Sequence, residues 1–235
     1  MKITIGIPIW NQKVEYFKEC LESIKAQTYQ DFECIVLDDG SDNEEEVEKI
    51  TKEFGFKYIY QKNQGIGDAR QAIIDNASKE TEFIAFLSSD DMWEPNFLEV
   101  MIKESEKHPG KILYSKYYVI DEKGTITGGV DAQGYNNHED FCVACFDWAY
   151  RNNMFANTNT TFYPKKVFEK LKFKYKFGED LYFLLVSMKD FEYHLVPEYL
   201  LKYRAWSGNV TSEKRLKIAE NNEKIIKEVL EYWKK

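Results

Sequence analysis

The chain has 235 residues, of which 43% are hydrophobic and 16% aromatic, a supply that can bury a substantial core and excludes a disordered chain. The formal net charge is −8, and the Lys and Arg residues are spread along the sequence. This distribution excludes general electrostatic binding of nucleic acid, although a local Arg can still bind a phosphate group on a small molecule.

The first 91 residues alternate between β-branched runs and segments in which apolar residues have helical spacing. Predicted strands cover residues 2–8, 32–37, 56–60 and 82–87. Predicted helices cover residues 14–27, 66–77 and a segment that starts at a capping-box sequence, residues 41–44. Strand and helix alternate four times, which requires crossover connections and predicts an α/β fold with a mostly parallel sheet flanked by helices.

After residue 91 the pattern becomes mixed. A helix is predicted near residues 95–107, strands at 112–119 and 125–130 around a turn at 122–124, and a helix at 138–150. From residue 213 the tail is an amphipathic helix, which we expect to pack on the body of the domain. The alternative for this helix is a contact with a second copy of the chain or with a membrane surface, although its nearly balanced charges argue against lipid.

One domain is predicted over residues 1–235, divided into a first half (1–91), a second half (92–212) and the C-terminal helix (213–235). The N-terminal apolar run is too short for a signal peptide, and no stretch approaches the roughly 20 apolar residues of a spanning helix. We therefore expect a cytoplasmic protein, with peripheral attachment to the inner face of the membrane as the alternative.

Polar residues follow every predicted strand of the first half. The four strand ends carry the sequences PIWN (8–11), DDGS (38–41), NQGIGDAR (63–70) and SSDD (88–91). In an open parallel sheet, ligands bind at the carboxyl ends of the strands, so these endings should face one cleft. They supply an aromatic ring, carboxylates, an arginine and a carboxylate pair, which suit a nucleotide diphosphate held with a divalent metal ion.

Each strand end also has a structural interpretation, since Trp10 could be core, Asp38 and Asp39 could cap a turn, and Arg70 could form an ion pair. Four polar strand ends on one edge of the sheet are unlikely to arise by chance, which favours a binding site at that edge. The first strand is not followed by G-x-G-x-x-G and the chain has no Walker sequence, which excludes the dinucleotide-binding and P-loop patterns.

Six short motifs follow one another along nearly the whole chain: PIWNQ, LDDGS, NQGIGDAR, LSSDD, FGED and YRAW. In this order they resemble the family 2 glycosyltransferases, whose usual forms are P-x-Y-N, V-D-D-G-S, N-x-G-x-x-x-A-R-N, L-D-S-D-D, G-E-D and Y-R-x-H. The resemblance implies the Rossmann-like GT-A fold and an enzyme that inverts at the anomeric carbon. It implies transfer from a nucleotide-diphosphate sugar, most commonly a UDP-sugar, to a hydroxyl of a glycan or lipid-linked glycan, with Mn²⁺ or Mg²⁺ as cofactor.

The resemblance also implies roles for single residues in donor binding. Asp91 would ligate the metal ion that bridges the diphosphate, and Asp90 would hold the ribose or a metal-bound water. Trp10 would lie along the base, and Asp39 would accept a hydrogen bond from it. The full set of implied nucleotide-binding positions is Pro8, Trp10, Asn11, Asp39, Arg70, Asp90 and Arg204, with Asp90 and Asp91 as the metal pair.

The catalytic residues implied by the resemblance lie in FGED. Asp180 matches the general base, which would take the proton of the acceptor hydroxyl as it attacks opposite the leaving nucleotide. Glu179 could orient Asp180 or bind an acceptor hydroxyl. Both acids are also expected at a helix N-terminus, where acidic residues are favoured.

Three positions depart from the family pattern. Ser88 stands where the family has an acid, Gln71 where it has Asn, and Trp206 where many members have His. These departures predict weaker or differently completed metal binding. They leave a second interpretation open, a catalytically silent nucleotide- or glycan-binding module of the same fold. Residues 147–163 and the tail are expected to shape the acceptor side of the cleft.

Overall fold

The structure is a computed structural model and describes residues 1–132, 134–135, 137–150, 157–207 and 215–234. Its strands are β1 (Ile3–Ile9), β2 (Phe32–Asp38), β3 (Lys57–Tyr60), β4 (Phe83–Phe86), β5 (Met92–Trp93), β6 (Ile112–Ile120), β7 (Ile126–Val130), β8 (Thr161–Pro164) and β9 (Tyr193–Arg204). Its helices are α1 (Val14–Lys25), α2 (Glu44–Glu53), α3 (Ile66–Asp75), α4 (Phe97–Lys107), α5 (His138–Tyr150), α6 (Lys166–Lys170), α7 (Glu179–Ser187) and α8 (Arg215–Trp233). A 3-10 turn over Thr158–Thr160 precedes β8.

The first half of the sheet is parallel, as the alternating pattern predicts. Strands β3, β2, β1 and β4 lie side by side in that order, and each neighbouring pair is parallel. In this register Ile9 lies opposite Asp38, and Asp38 lies opposite Tyr60. The carboxyl ends of these strands therefore form one edge, where the polar segments that follow them meet.

The second half of the sheet is mixed, also as predicted. Strand β8 lies antiparallel between β4 and β6, β6 pairs in parallel with β9, and β5 and β7 add antiparallel pairs. The sequence pattern did not indicate β5, β8 or β9. The first two are only two and four residues long. Val196 and Tyr199 of β9 lie opposite Ser115 and Lys116, which are adjacent in β6. The extra residues of β9 form a bulge, which accommodates Pro197.

Two apolar layers cover the faces of the sheet. The odd-numbered residues of β1, from Ile3 to Ile9, are at most 2% exposed and pack with α1 and α4. On the other face, Ile35 and Leu37 of β2 pack with α3, α7 and α8. Burial on both faces explains the continuous apolar runs that mark the strands in the sequence.

The C-terminal helix α8 packs on the body of the domain, as predicted. Ile225, Ile226 and Val229 are at most 3% exposed, and the indole N–H of Trp233 donates to the carbonyl of Leu185 at 3.0 Å. Ile225, Ile226 and Val229 are therefore covered by the domain, whereas Leu230 is 39% exposed. A contact of this helix with a membrane or a second chain stays a prediction. Among the described residues, no helix combines the length and the apolar character that crossing a membrane requires.

The predicted capping box at residues 41–44 is wrong. Helix α2 begins at Glu44, and its N-cap residue Asn43 makes no side-chain capping bond. The hydroxyl of Ser41 instead accepts a hydrogen bond from the backbone N–H of Asn11 at 3.0 Å. Ser41 thus joins the loops after β1 and β2, a tertiary contact that replaces the local one.

Candidate active site

Trp10 lies at the rim of the sheet edge. Its side chain is 48% exposed, so the alternative of a core tryptophan is wrong. The next residue, Asn11, has a positive φ of 47° that turns the chain after β1. Asn11 is held by Asp42, since its Nδ2 donates to Asp42 Oδ2 at 3.0 Å and its Oδ1 accepts from the Asp42 N–H at 2.7 Å. These bonds fix the turn that presents Trp10, with Pro8 buried just before it in β1.

Asp39 organises the loop that follows β3. It accepts hydrogen bonds from the side chain of Gln61 at 2.7 Å and from the backbone N–H groups of Gln64 and Gly65, each at 2.8 Å. Asp38, which precedes it, is fully buried and accepts two hydrogen bonds of its own. The turn-capping interpretation is confirmed for Asp38, which accepts from the backbone N–H of Ser41 at 2.8 Å, whereas Asp39 binds the loop after β3. A carboxylate has about four acceptor positions, so Asp39 can accept about one more hydrogen bond, which the predicted base contact needs.

Asp90 and Asp91 are adjacent but have different surroundings. Asp91 is 0% exposed, and its two oxygens accept from the backbone N–H of Arg204 at 2.8 Å and from Nδ2 of Asn159 at 2.6 Å. Asp90 is partly exposed, and its Oδ2 accepts from the indole N–H of Trp206 at 2.9 Å. Burial raises the pKa of both carboxyls, and the charge of Asp90 adds to the rise of the pKa at Asp91. The protein therefore holds the inner acid, while the outer acid keeps surface that a ligand can reach.

The sequence did not indicate Asn159 as part of this site. It lies in the 3-10 turn before β8, and its Oδ1 accepts from the backbone N–H of Ser88 at 3.1 Å while its amide donates to Asp91. Ser88, at the position of the missing family acid, therefore binds an amide side chain. Asn159 falls in the 147–163 segment, which has no periodic pattern, and the antiparallel pairing of β8 with β4 brings it to the site. Residues 151–156 of that segment lie outside the described residues.

Arg204 is fully buried, and the protein engages its guanidinium group. Nε donates to the carbonyl of Asp90 at 3.0 Å, and Nη1 donates to the carbonyls of Asp121 and Glu122 at 3.3 and 3.1 Å. Nη2 forms an ion pair with Glu19. A phosphate group would have to displace one of these partners, so the predicted phosphate contact stays a prediction. In the structure, Arg204 holds the backbone of the loop that carries Asp90.

Arg70 forms a buried ion pair with Glu179 at the start of α7. The Nη1–Oε1 distance is 2.5 Å, and the two side chains are 4% and 7% exposed. The guanidinium also lies over the rings of Phe86 and Phe173, 5.7 and 5.5 Å from their centroids. The ion-pair interpretation of Arg70 is confirmed, and its predicted contact with the nucleotide stays a prediction.

Asp180 occupies the first turn of α7, as predicted for both acids of FGED. Its side chain is partly exposed, and its Oδ1 accepts from the backbone N–H of Leu181 at 2.8 Å. Gly178 enters the helix with φ of 75°, and a Cβ there would lie 2.9 Å from the side chain of Ile225. Only glycine suits this position. The start of α7 thus fixes the direction in which the Asp180 side chain leaves the backbone.

Glu179 should make the stability of the protein pH-dependent near neutrality. Burial raises the pKa of Glu179 from 4.5 to about 7, Asp180 adds to the rise, and Arg70 opposes it. Because the native state then binds this proton more tightly than the unfolded chain, the free energy of unfolding should fall as pH rises from 4.5 to 7. The fall due to this group is up to about 3 kcal/mol, at about 1.4 kcal/mol for each unit of pKa difference.

Urea unfolding of the wild type and of Glu179→Gln across this pH range measures the effect. The stability of the wild type relative to Glu179→Gln should decline with rising pH, whereas the exposed control Glu169→Gln should follow the wild type. A constant difference between wild type and Glu179→Gln would show that Glu179 has an ordinary pKa in the folded protein.

The acid pair offers a divalent metal ion one accessible carboxylate. The partly exposed Asp90 provides the oxygen ligand that Mg²⁺ and Mn²⁺ prefer, and phosphate and water oxygens can complete the coordination shell. Both oxygens of Asp91 face N–H donors of Arg204 and Asn159. Asp91 could therefore reach an ion only if one of these hydrogen bonds were replaced.

Comparison with known families identifies the chain. The family model for Glycosyl transferase family 2 matches residues 4–172, more than half of the chain. The chain belongs to glycosyl transferase family 2. The resemblance of its motifs to this family is therefore confirmed. The match contains the four strand ends of the first half and stops before FGED and YRAW, so Asp180 and Arg204 lie outside it.

Relatives of this family 2 chain are found in bacteria. Glycosyltransferase GlyA of Streptococcus pneumoniae serotype 4 is 31% identical over 77% of this chain and 27% of GlyA. Glycosyltransferase GlyG of the same strain is 26% identical over 88% of this chain and 72% of GlyG. The chain spans only 20–27% of the length of the first four curated relatives it matches, GlyA among them.

Solved structures match this family 2 chain over nearly its whole length. S. aureus TarS 1-349 in complex with UDP-GlcNAc has a TM-score of 0.71 and 18% identity, covering 98% of this chain and 72% of that chain. At this identity the likeness concerns the fold. It confirms the predicted GT-A architecture, an α/β fold with a mixed sheet flanked by helices.

Proposed function

We propose that this chain transfers a sugar from a nucleotide-diphosphate donor, a UDP-sugar, to a hydroxyl group of a glycan or lipid-linked glycan, with inversion at the anomeric carbon. The observation that carries the proposal is the shared arrangement of two acid pairs. In each pair the inner acid, Asp91 or Glu179, is buried against protein donors, and the outer acid, Asp90 or Asp180, keeps exposed surface. One outer acid can hold a cation and the other can accept a proton.

Membership of family 2 supports the transferase activity, and two TarS structures support the class of donor. These are the complexes of S. aureus TarS 1-349 with UDP-GlcNAc and with UDP. The sheet edge that carries Trp10 and Asp90 is the carboxyl edge of the parallel strands, where ligands of open α/β sheets bind.

The metal part of the proposal assigns the first ligand to Asp90. When bound, Mn²⁺ or Mg²⁺ would neutralise the charge that grows on the leaving nucleotide diphosphate. Asp91 would enter the coordination shell only by releasing Asn159 or the Arg204 N–H. Its main task in this proposal is to anchor the strand end so that Asp90 faces the donor, and Trp206 holds Asp90 from the other side.

The nucleotide part of the proposal places the base along the exposed ring of Trp10. Asp39 would accept from the base with the capacity that its three loop bonds leave. Asn11 and Pro8 shape the turn beneath the ring. The predicted donor contact of Arg70 would require its guanidinium to bind the ligand as well as Glu179, and that of Arg204 would require the ligand to displace one of its present partners.

The chemical part of the proposal assigns the general base to Asp180. Its position in the first turn of α7 gives it a fixed direction, and its exposed surface can meet an acceptor hydroxyl. Glu179 is committed to Arg70, so it acts on Asp180 through charge and position.

Trp10→Ala should weaken nucleotide binding by about 1–3 kcal/mol, the free energy of one base–aromatic stack. The fold should survive, because the ring is 48% exposed. Titration calorimetry with UDP in the presence of Mn²⁺ measures the loss. Ile126→Ala, which truncates a side chain of similar exposure on β7, serves as the control. An unchanged UDP affinity in Trp10→Ala would remove Trp10 from the nucleotide site.

A catalytically silent binding module of the same fold is the second candidate, and Ser88 favours it by leaving the family's first acid absent. Two measurements decide between the candidates. Ligand binding raises stability by mass action, so nucleotide diphosphates with and without Mn²⁺ should be screened by thermal shift. The second measurement is the turnover of a panel of nucleotide sugars by the protein. Binding with transfer or hydrolysis of the sugar supports the transferase, binding alone supports the module, and no binding contradicts both.

A further inference from the structure

A second group of metal-binding side chains lies on α4 and β9. Glu104 and His108 are four residues apart on and just after α4, so they share one face of the helix. His194 is the second residue of β9. One ligand atom from each of the three side chains can be chosen so that all lie within 4.8 Å of one another. Glu104 Oε2 and His108 Nε2 are 3.8 Å apart, and the rings of His108 and His194 stack with centroids 3.5 Å apart.

This group is remote from the candidate active site. Strand β9 runs beside β6 in parallel, with Tyr193 opposite Ile112 at one end and Arg204 opposite Ile120 at the other. Asp90 is bound at the Arg204 end. His194 lies opposite Leu113 and Arg204 opposite Ile120, seven residues further along β6, which corresponds to about 23 Å at roughly 3.3 Å per residue. A ligand of this group therefore cannot be the donor's metal ion.

We propose that Glu104, His108 and His194 bind one transition-metal ion of the Zn²⁺ class, which ties the end of α4 to the start of β9. Two imidazoles and a carboxylate are ligands that zinc accepts, and water can supply the fourth. Imidazole nitrogen disfavours Mg²⁺ and Ca²⁺, which prefer oxygen. With zinc–ligand distances near 2.0–2.1 Å, tetrahedral ligand atoms lie about 3.3 Å apart. Binding would therefore draw the ligand atoms, which now lie within 4.8 Å of one another, closer together by up to about 1.5 Å.

The surroundings of the three side chains permit this binding. Glu104 and His108 are 20% and 30% exposed, which leaves an entry path for an ion. Lys107 binds the other oxygen of Glu104, Oε1, at 2.7 Å, so Oε2 still faces His108. Lys111, whose charge acts on His194, is paired with Glu192 at 2.8 Å.

Zinc titration of the whole metal-free chain tests the site, by calorimetry and by thermal shift. The wild type should bind about one Zn²⁺ per chain with a rise in melting temperature. Glu104→Gln, His108→Asn and His194→Asn should each weaken binding by at least about 10–100-fold, the range already seen when outer-shell partners are removed. Excess Mg²⁺ should leave zinc binding unchanged.

Glu99→Gln is the matched control, because Glu99 also lies on α4 and pairs with a lysine on the same helix, Lys103, as Glu104 pairs with Lys107. It should bind zinc like the wild type. Asp90→Asn should also retain zinc, which separates this site from the candidate active site. Absence of zinc binding in the wild type would overturn the proposal, as would equal affinity in Glu104→Gln and Glu99→Gln. Glu104→Gln decides the question if a histidine variant does not fold.

Discussion

Asp90→Asn is expected to remove the Mn²⁺-dependent part of nucleotide binding while leaving the protein folded. Asp90 is the partly exposed member of the pair, and its amide replacement can still accept from Trp206 but carries no charge for a cation. In a thermal-shift experiment with UDP, Mn²⁺ should stabilise the wild type. At a ligand concentration 100-fold above Kd this stabilisation is about 2.7 kcal/mol, and it should vanish in the variant.

Asp91→Asn is the matched comparison, and its main effect should be on stability. Both oxygens of Asp91 accept from N–H donors in a site with 0% exposure. An asparagine would turn an NH₂ group toward one of these donors and lose a charge-assisted hydrogen bond. The expected cost is about 1.5–3 kcal/mol in the free energy of unfolding, measured with urea.

The two variants together decide which acid reaches the metal. If Asp91→Asn is as stable as the wild type and loses the Mn²⁺ response, while Asp90→Asn keeps it, then Asp91 is the ligand, as the sequence predicted. Loss of the response in Asp90→Asn alone, with stability lost only in Asp91→Asn, would assign the ion to Asp90 and the anchoring role to Asp91. A Mn²⁺ response that survives in both would remove the pair from metal binding.

The parts of the fold that the sequence predicted are those set by local patterns. Strands β1, β2 and β4 can be recognised in the sequence as apolar runs, because both faces of the parallel sheet are buried. Once these strands are parallel, their carboxyl ends must share an edge, so the grouping of Trp10, Asp39 and Asp90 follows from topology. The position of Asp180 in a helix's first turn follows from FGED, since glycine and acids mark a helix start.

The parts that the sequence could not predict depend on contacts between distant segments. Asn159 meets Asp91 only because β8 lies antiparallel beside β4, a pairing that four residues without clear periodicity do not indicate. Arg204 and Glu19 form an ion pair across 185 positions of sequence. The same cause explains Ser41, whose hydroxyl could cap α2 but binds Asn11 instead. In each case tertiary packing selects one of several locally acceptable partners.

The burial of Asp91 illustrates this limit most directly. An acid at the end of a strand is expected near the surface, where paired carboxylates can meet a cation. The segments that carry Asn159 and Arg204 cover Asp91 from two sides and leave Asp90 as the acid with exposed surface. The motif predicts that an acid pair lies at the edge. Which member keeps exposed surface is decided by the segments that carry Asn159 and Arg204.

Asp180→Asn should lower the rate of sugar transfer by about 10²–10⁴-fold, the usual contribution of a positioned general base. Asparagine preserves the shape of the side chain and can still accept from the N–H of Leu181, but it cannot take a proton. The affinity for the nucleotide sugar should stay nearly unchanged, because Asp180 lies on the acceptor side in the proposed arrangement. Asp90→Asn, in contrast, should lose donor binding and transfer together, since in the proposed arrangement the metal ion would serve both.

Glu179 provides the internal comparison for this prediction. Glu179→Gln breaks the buried ion pair with Arg70, so it should cost stability, and any loss of rate should come with that change.

If Asp180→Asn keeps most of its transfer rate with its true acceptor, the general base is either Glu179 or absent. The stereochemistry of the product then separates the two cases. A β-linked product from an α-linked donor requires attack from the opposite face and keeps Glu179 as the base. Retention of the α linkage would contradict the inverting mechanism for this chain.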